Sequence, residues 1–263
     1  MARALLLFWH STPGPHAMDL NTSIAASRLV AQQRAMDVTA NNLANANTPG
    51  FKRQQVQFAD WLNRQSGIDV PSGGHTLAYT QDRATWRDTQ QGALSHTGNT
   101  YDLALTGEGY FTVNTPRGVR LTRDGRFGAT PDGTLADSNG NAVLDSTGQP
   151  IRVPPNTTRI SVAGDGTLSG DAGALGKVGV VKPNDPARLV PEGATLLNAP
   201  TGTAPVSAPG IVQGALEESN VQPVLELTRM MNDAREFQFV SQYVQAESDR
   251  QQSAIDKLLP ANG

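Results

Sequence analysis

The chain has 263 residues, a formal net charge of −3, 38% hydrophobic residues and 17% charged ones. That length allows one or two domains with cores of their own, while mild acidity and a single adjacent basic pair, Lys52-Arg53, give no footing for a nucleic-acid surface. With no cysteine, disulfides, thiolate metal sites and a cysteine nucleophile are excluded together.

The absence of thiols is compatible with an oxidising compartment, and Lys52-Arg53 reads as solvated surface. The N-terminus carries an apolar run, Ala4 to Trp9, shorter than a signal-peptide core and far short of a membrane span. Residues 1–17 are expected to be a leader outside the working chain, which opens at Met18. No later segment reads as membrane-inserted.

From Asp19 to Ala46 the pattern is helical, alanine-rich and free of Gly and Pro. Leu29, Met36 and Leu43 lie seven apart, with Ala25, Gln32 or Gln33, and Ala40 on the alternate turn. Such a narrow stripe buries little on its own and needs a partner helix. The helix runs into "NNLANANTPGF", where four asparagines fall within seven positions before Thr48, Pro49 and Gly50 break the chain. Amides can donate and accept at once, which suits the orphan carbonyls of a helix end. Residues 18–60 thus form a helix with an Asn-rich junction, and 61–100 an extended connector.

Further on the period becomes two. "GVRLTRDGRF" alternates, is expected to turn at Asp124-Gly125 and resumes at Phe127; "PDGTL" (131–135), "SNGNAVL" (138–144) and "GDGTL" (164–168) carry Asp-Gly or Asn-Gly steps. These dipeptides accept the positive φ of tight hairpins. A β-rich, hairpin-built domain is expected over 101–210, with 198–212 an extended or loop connection.

The last element is a long helix, placed in a 211–259 segment with a 260–263 tail. One heptad phase runs Leu227, Ala234, Ser241, Ser248, Ile255, and a second runs Met230, Phe237, Val244, Gln251, Leu258. Ser219 and Asn220 are N-cap types, and Pro223 suits a first turn. The predicted fold class is α+β: long N- and C-terminal helices pairing as a coiled coil, with a β-rich middle domain.

Chemistry-bearing motifs fail one by one. "TGEGYF" (106–111) lacks the third glycine and the lysine of a phosphate loop, and reads as a turn between strands 101–105 and 110–113. "DSNGNAVLDSTG" (137–148) has Ala142 and Gly148 where a calcium loop needs Gly and Glu, so a hairpin is the reading. His10, His16, His75 and His96 show no metal-ligand spacing. Glu108 and Asp102 could be imagined as a carboxylate pair but have no supporting constellation. No cofactor, metal or catalytic residue is nominated.

The stretch Asn41, Asn42, Leu43, Ala44, Asn45, Thr48, Pro49, Gly50 and Phe51 resembles the N-terminal signature of bacterial flagellar rod and hook proteins, the axial proteins. "GALSHTGNTYDLALTGEGYFTV" (92–113) with "LTRDGRF" (121–127) is similar to that family's core domain, and "GALEESNVQPVLELTRMM" (214–231) to its C-terminal signature. The matches keep the family's order and cover Met18 to Leu259; residues 1–17 have no counterpart. The resemblance implies a non-enzymatic structural subunit of the basal-body rod in the periplasm, exported through the flagellar type III apparatus without a cleavable signal. Its implied partners are other rod proteins and copies of itself, in a helical tube that transmits torque. Length and the compact middle favour a rod protein over hook and junction proteins. "DLNTSIAASRLVAQQ" (19–33), Pro223 and "PARLVPEGATLLNAP" (186–200) favour the proximal over the distal rod type. Residues 41–51 are expected to form a subunit–subunit junction, with Leu29, Met36 and Leu43 as the N-terminal seam and Leu227, Met230, Ala234, Phe237, Val244, Ile255 and Leu258 as the C-terminal one. The competing classes are a cell-wall hydrolase and an export chaperone; hairpins argue against the chaperone, and the lack of an acid cleft against the hydrolase.

Overall fold

A computed structural model describes residues 15–64, 76–155, 157 and 159–258. Helix α1 spans Pro15–Ala44 and helix α2 spans Pro223–Leu258. Between them lie strands β1 (Gln54–Arg64), β2 (Thr76–Arg87), β3 (Leu94–His96), β4 (Leu103–Leu105), β5 (Tyr110–Thr115) and β6 (Gly118–Thr122). There follow β7 (Phe127–Ala129), β8 (Leu135–Asp137), β9 (Ala142–Val143), β10 (Ser161–Val162), β11 (Thr167–Gly170) and β12 (Gly173–Lys177). The series closes with β13 (Val180–Pro183), β14 (Val190–Pro191), β15 (Leu196–Asn198), β16 (Thr203–Pro205), β17 (Ile211–Gln213) and β18 (Ala215–Glu217). The class is α+β with a β-rich middle. Residues 1–14, His10 among them, and His75 lie outside the described residues.

Two compact units divide the chain. One consists of residues up to Asp37, Val56–Thr85 and the chain from Arg229; the other of Val38–Gln55 and Trp86–Thr228. The second holds the main core. Its central sheet is ordered β14-β15-β6-β5-β9-β8-β7, with β13 on β5 and β16 on β13. Leu103, Phe111, Val113, Phe127, Leu135 and Val143 are all but sealed from solvent, and Phe111 meets Phe127 edge to face at 5.2 Å. The hairpins follow their turn residues: Gly133 (φ 79), Gly140 (φ 81) and Gly166 (φ 93) join β7–β8, β8–β9 and β10–β11.

Several expectations are corrected here. Asp124-Gly125 makes no hairpin, because β6 pairs with β5 and β15 while β7 pairs with β8. Instead Asp124 Oδ1 accepts from the Arg126 N–H at 3.1 Å, and a Cβ on Gly125 would lie 1.6 Å from the Leu103 carbonyl oxygen. Close approach, not positive φ, requires that glycine. The supposed connector 61–100 contains most of the β1–β2 ribbon and β3. The extended or loop connection expected over 198–212 contains β16 and the start of β17. Residues 211–217, assigned to the C-terminal helix segment, form two strands with a turn at Gly214: β17 returns to β4 and β18 to β3. Helix α1 starts at Pro15, inside the expected leader, and ends at Ala44.

Each helix buries a narrow stripe of side chains. On α1, Ala25, Gln32 and Thr39 are buried and seven apart, with Leu29, Met36 and Leu43 half-buried beside them. On α2 the phase Met230, Phe237, Val244, Gln251 is half-buried. The other phase is shifted by one residue: Glu226, Val240 and Glu247 are buried and Asp233 half-buried, whereas Leu227, Ser241 and Ser248 are exposed and Ala234 is half-buried. Glu226 takes the inward position because Asn42 and Arg53 hold its carboxylate. The side chains of Ile255 and Leu258 lie outside the described residues. Within the first unit the helices meet at Arg28 and Glu236, 3.0 Å apart at the surface.

Candidate functional site

The most organised polar region lies where the end of α1, the turn after it, residues 87–92, β18 and the start of α2 converge in the second unit. The helix ends in its own amides. The Asn45 side chain donates to the Asn41 carbonyl at 2.9 Å, and Thr48 Oγ1 donates to Asn45 Oδ1 at 3.2 Å. Successive turn bonds, Ala46 N–H to the Leu43 carbonyl and Thr48 N–H to the Asn45 carbonyl, carry the chain away five residues before Pro49. Gly50 then adopts φ 68 and donates its N–H to the Glu217 carbonyl at 2.7 Å; a Cβ there would sit 2.3 Å from the backbone of Arg123 and Asp124. Phe51 is fully buried with the Arg87 guanidinium over its ring at 5.7 Å.

Asn42 is the second anchor. Buried, it exchanges two hydrogen bonds with the backbone of Gln54 (2.8 and 2.9 Å) and donates to the Glu226 carboxylate at 3.3 Å. Arg53 lies 3.6 Å from the same carboxylate. Asn220, expected to cap α2, instead accepts from the Arg53 N–H at 2.7 Å and donates to the carbonyls of Asp88 and Gln90. It ties three chain segments together. Ser219 Oγ accepts from Val221 N–H, and the first helical bond runs from Glu226 N–H to the Gln222 carbonyl, so α2 starts at Pro223 without either residue as cap.

At the centre stands Glu217, whose side chain has no solvent exposure. One oxygen accepts from Lys52 Nζ at 2.5 Å and from Gly92 N–H at 3.1 Å; the other accepts from Arg123 at 3.0 Å. Lys52 also donates to the Gln90 carbonyl, and Arg123 donates to the Gly107 carbonyl and lies 5.3 Å above the Tyr110 ring. Burial pushes the Lys52 ammonium below its usual range, against the pull of Glu217. Burial likewise raises the Tyr110 hydroxyl. Lys52, read from sequence as solvated, is in fact 3% exposed. Its place directly after Phe51 in the motif was the available signal.

This arrangement holds backbone together rather than presenting reactive groups: each carboxylate is engaged by cations and N–H donors. The imagined pair Glu108 and Asp102 is divided between separate tasks. Exposed Glu108 pairs with Lys182, which holds its carboxyl below the usual range, and buried Asp102 accepts from Thr97 and Asn99. Of the sequence-nominated junction residues, Asn42, Gly50 and Phe51 turn inward; Leu43, Asn45, Thr48 and Pro49 are half-buried; Asn41 and Ala44 face solvent. Beside them opens a cleft of 440 Å³ lined by Asn47, Pro49, Ser95, Arg126, Glu218 and Val221, among others. Lys52, Arg53, Arg123, Glu217, Asn220 and Glu226 are the site residues that sequence reasoning missed.

Three family profiles match in chain order: flagella basal body rod protein over residues 23–52, flagellar hook protein FlgE/F/G D1 domain over 104–170, and flagellar basal body rod FlgEFG protein C-terminal over 212–257. The chain is 35% identical to the flagellar basal-body rod protein FlgF of Caulobacter vibrioides, over 92% of this chain and 98% of the relative. It is 34% identical to FlgF of Mesorhizobium japonicum over 89% and 96%. With FlgG, the flagellar basal-body rod protein of Bacillus subtilis, it shares 31% over 85% and 93%. All three profiles include clamp residues or their supports: Asn42, Gly50 and Phe51 in the first, Gly107 and Arg123 in the second, Glu217 and Glu226 in the third.

Proposed function

The chain belongs to the flagellar basal-body rod protein family, whose members are structural and not enzymatic, and from that premise we propose that it is an FlgF-type subunit of the proximal rod. In this reading α1 and α2 pair as a coiled coil and pack with the helices of other rod and axial subunits, the β domain lies outside, and the tube transmits torque across the periplasm. The observation that carries it is on α2. Opposite its buried seam the helix presents Val224 (76% exposed), Leu227 and Met231, and along the flank beside Ile24 and Arg28 of α1 it presents Phe239 (73% exposed) and Tyr243. At 100° per residue Val224, Leu227 and Met231 fall on the side away from Glu226, Asp233, Val240 and Glu247, while Phe239 and Tyr243 border the seam. An apolar face of this kind marks an interaction surface.

Asn41, Ala44 and Asn47, the outward members of the Asn-rich turn, are the part of 41–51 free to meet a neighbouring subunit. Their inward companions are engaged in the chain's own clamp. The β unit, with its own core, suits a subunit that refolds after export through the type III apparatus. Head-to-tail contacts of one α2 face with a different surface of the next copy build a helical array where the rotation between copies does not close into a ring.

Quantitative mass spectrometry on purified basal bodies tests the reading, counting this chain against the other rod proteins. A few copies per particle are expected of a short proximal segment. Several-fold more copies than its rod neighbours would make it a distal, FlgG-type component, and complete absence would overturn the rod assignment.

A further inference from the structure

Gln32 stands apart from every other seam residue of α1. It is 8% exposed, and both its amide oxygen and its amide nitrogen are sealed from solvent without a hydrogen-bond partner among the described residues. Its heptad mates are Ala25, which needs no partner, and Thr39. The neighbouring Gln33 is exposed and donates to Asp37 at 3.2 Å. A buried amide with both ends unmet opposes the packing of the seam that contains it. Immediately beside it an apolar groove of 390 Å³ opens along the helix, lined by Leu29, Val30, Gln33, Arg34, Asp37 and Phe237, and Val30 in its wall is 70% exposed.

We infer that Gln32 is a register-setting amide, left unmet in the single chain and met when a helix of a second copy enters the groove beside it. The deduction rests on the rod reading above. The occupant is argued from the chain itself, whose α2 carries the exposed apolar face of Val224, Leu227 and Met231 that an apolar groove between helices accepts. Gln32 has three rotatable side-chain bonds and sits next to Gln33 and one turn from Leu29, both in the groove wall. There an incoming helix supplies a side-chain amide or hydroxyl to answer it. One polar side chain in an otherwise small and apolar seam selects among helix registers at a cost in stability, because every wrong register leaves it unmet. The same residue weakens the lone helix pair and specifies the assembled one.

The test uses the full chain with Gln32→Met, an unbranched apolar side chain of similar size, and Gln32→Leu as a second variant. Gln245→Leu, which removes an exposed α2 amide, is the control. Amide exchange of the purified monomer is expected to slow about tenfold over 24–37 in both Gln32 variants and not in the control. Exchange over 103–180 reports that the β unit is intact. Incorporation into basal bodies, in cells lacking the native copy, is expected to fall several-fold for the Gln32 variants although their monomers are more protected. Unchanged exchange would mean that the amide is already satisfied and would overturn the inference, as would wild-type incorporation of Gln32→Met. Variants that enter rods only alongside a different rod protein, never beside their own kind, would reject a second copy as occupant. Failure of the unmutated chain to enter basal bodies would count against the rod reading, and the exchange measurement would still judge Gln32.

Discussion

The clamp around Glu217 and the seam of the terminal helices both place polar side chains out of solvent, but they do so to opposite effect. In the clamp, Glu217 is met by Lys52, Arg123 and the Gly92 N–H, and Asn42 by Gln54 and Glu226. In the seam, Gln32 is met by nothing among the described residues, and the reverse face of α2 leaves Val224 and Met231 in water. A buried ion pair becomes tolerable only when geometry and additional hydrogen bonds compensate desolvation. The clamp meets that condition inside one chain. The helix pair does not, and so it is the region that gains most when further helices join it.

If the clamp is self-sufficient, breaking it is the largest single insult available. Glu217→Ala strands the Lys52 ammonium and the Arg123 guanidinium in a buried site, and the expected loss is about 3–5 kcal/mol. Denaturant unfolding followed by tryptophan-independent far-UV signal should show it as a shifted midpoint with unchanged slope. A loss below about 1 kcal/mol would mean that water reaches the site and that the clamp is not dry. Next comes Gly50→Ala. Its φ of 68 and the 2.3 Å approach to the Arg123 backbone demand both strain and displacement, for an expected cost of about 1–3 kcal/mol from the dihedral alone. An unaffected midpoint would show that the turn can relax without disturbing Glu217.

The comparison also explains what could be read from sequence. The hairpins at Gly133, Gly140 and Gly166 are local: a dipeptide states its own turn, and the strands follow. The half-buried spacing of Met230, Phe237 and Val244 is local in the same sense, since side-chain period alone sets it. Leu227 was misplaced because the inward position beside it goes to Glu226, and what draws Glu226 inward is Asn42, 184 positions away. Periodicity contains no such term. The same holds for Lys52 and Glu217, 165 apart, and for Asn220, whose amide looks like a helix cap until Arg53, Asp88 and Gln90 come into reach. The motif of residues 41–51 was visible as a motif, but which of its side chains turn inward depends on segments far along the chain.

A smaller effect sharpens the clamp's outline. Burial raises the Asp124 carboxyl above its ordinary value of 3.8, partly offset by the Arg126 N–H and charge. With the folded pKa above the unfolded one, the folded state binds the proton more tightly, so this group's contribution to stability falls as pH rises through that window. The loss is complete above the folded pKa and absent below the unfolded one. Asp124→Asn keeps an oxygen to accept from the Arg126 N–H and removes the charge. A slightly higher unfolding midpoint is expected at pH 7, with the advantage shrinking as pH falls toward 4. An advantage that is the same at both pH values would assign it to something other than the buried charge.

The smallest expected change in the monomer belongs to Phe239→Ser, and it separates the two regions most cleanly. The ring is 73% exposed, so its removal should leave monomer stability within about 0.5 kcal/mol. In the assembled rod the same ring would be enclosed, and its replacement by a hydroxyl forfeits most of a large apolar contact, on the order of 2 kcal/mol for each subunit junction. That difference should appear as several-fold fewer copies per basal body from a monomer that folds normally. The clamp variants should do the reverse, with rod incorporation falling only as far as their folded fraction falls. A Phe239→Ser chain that fills rods at wild-type yield would remove α2's outer face from the assembly surface. The seam's unmet amide would then have to be answered from the α1 side alone.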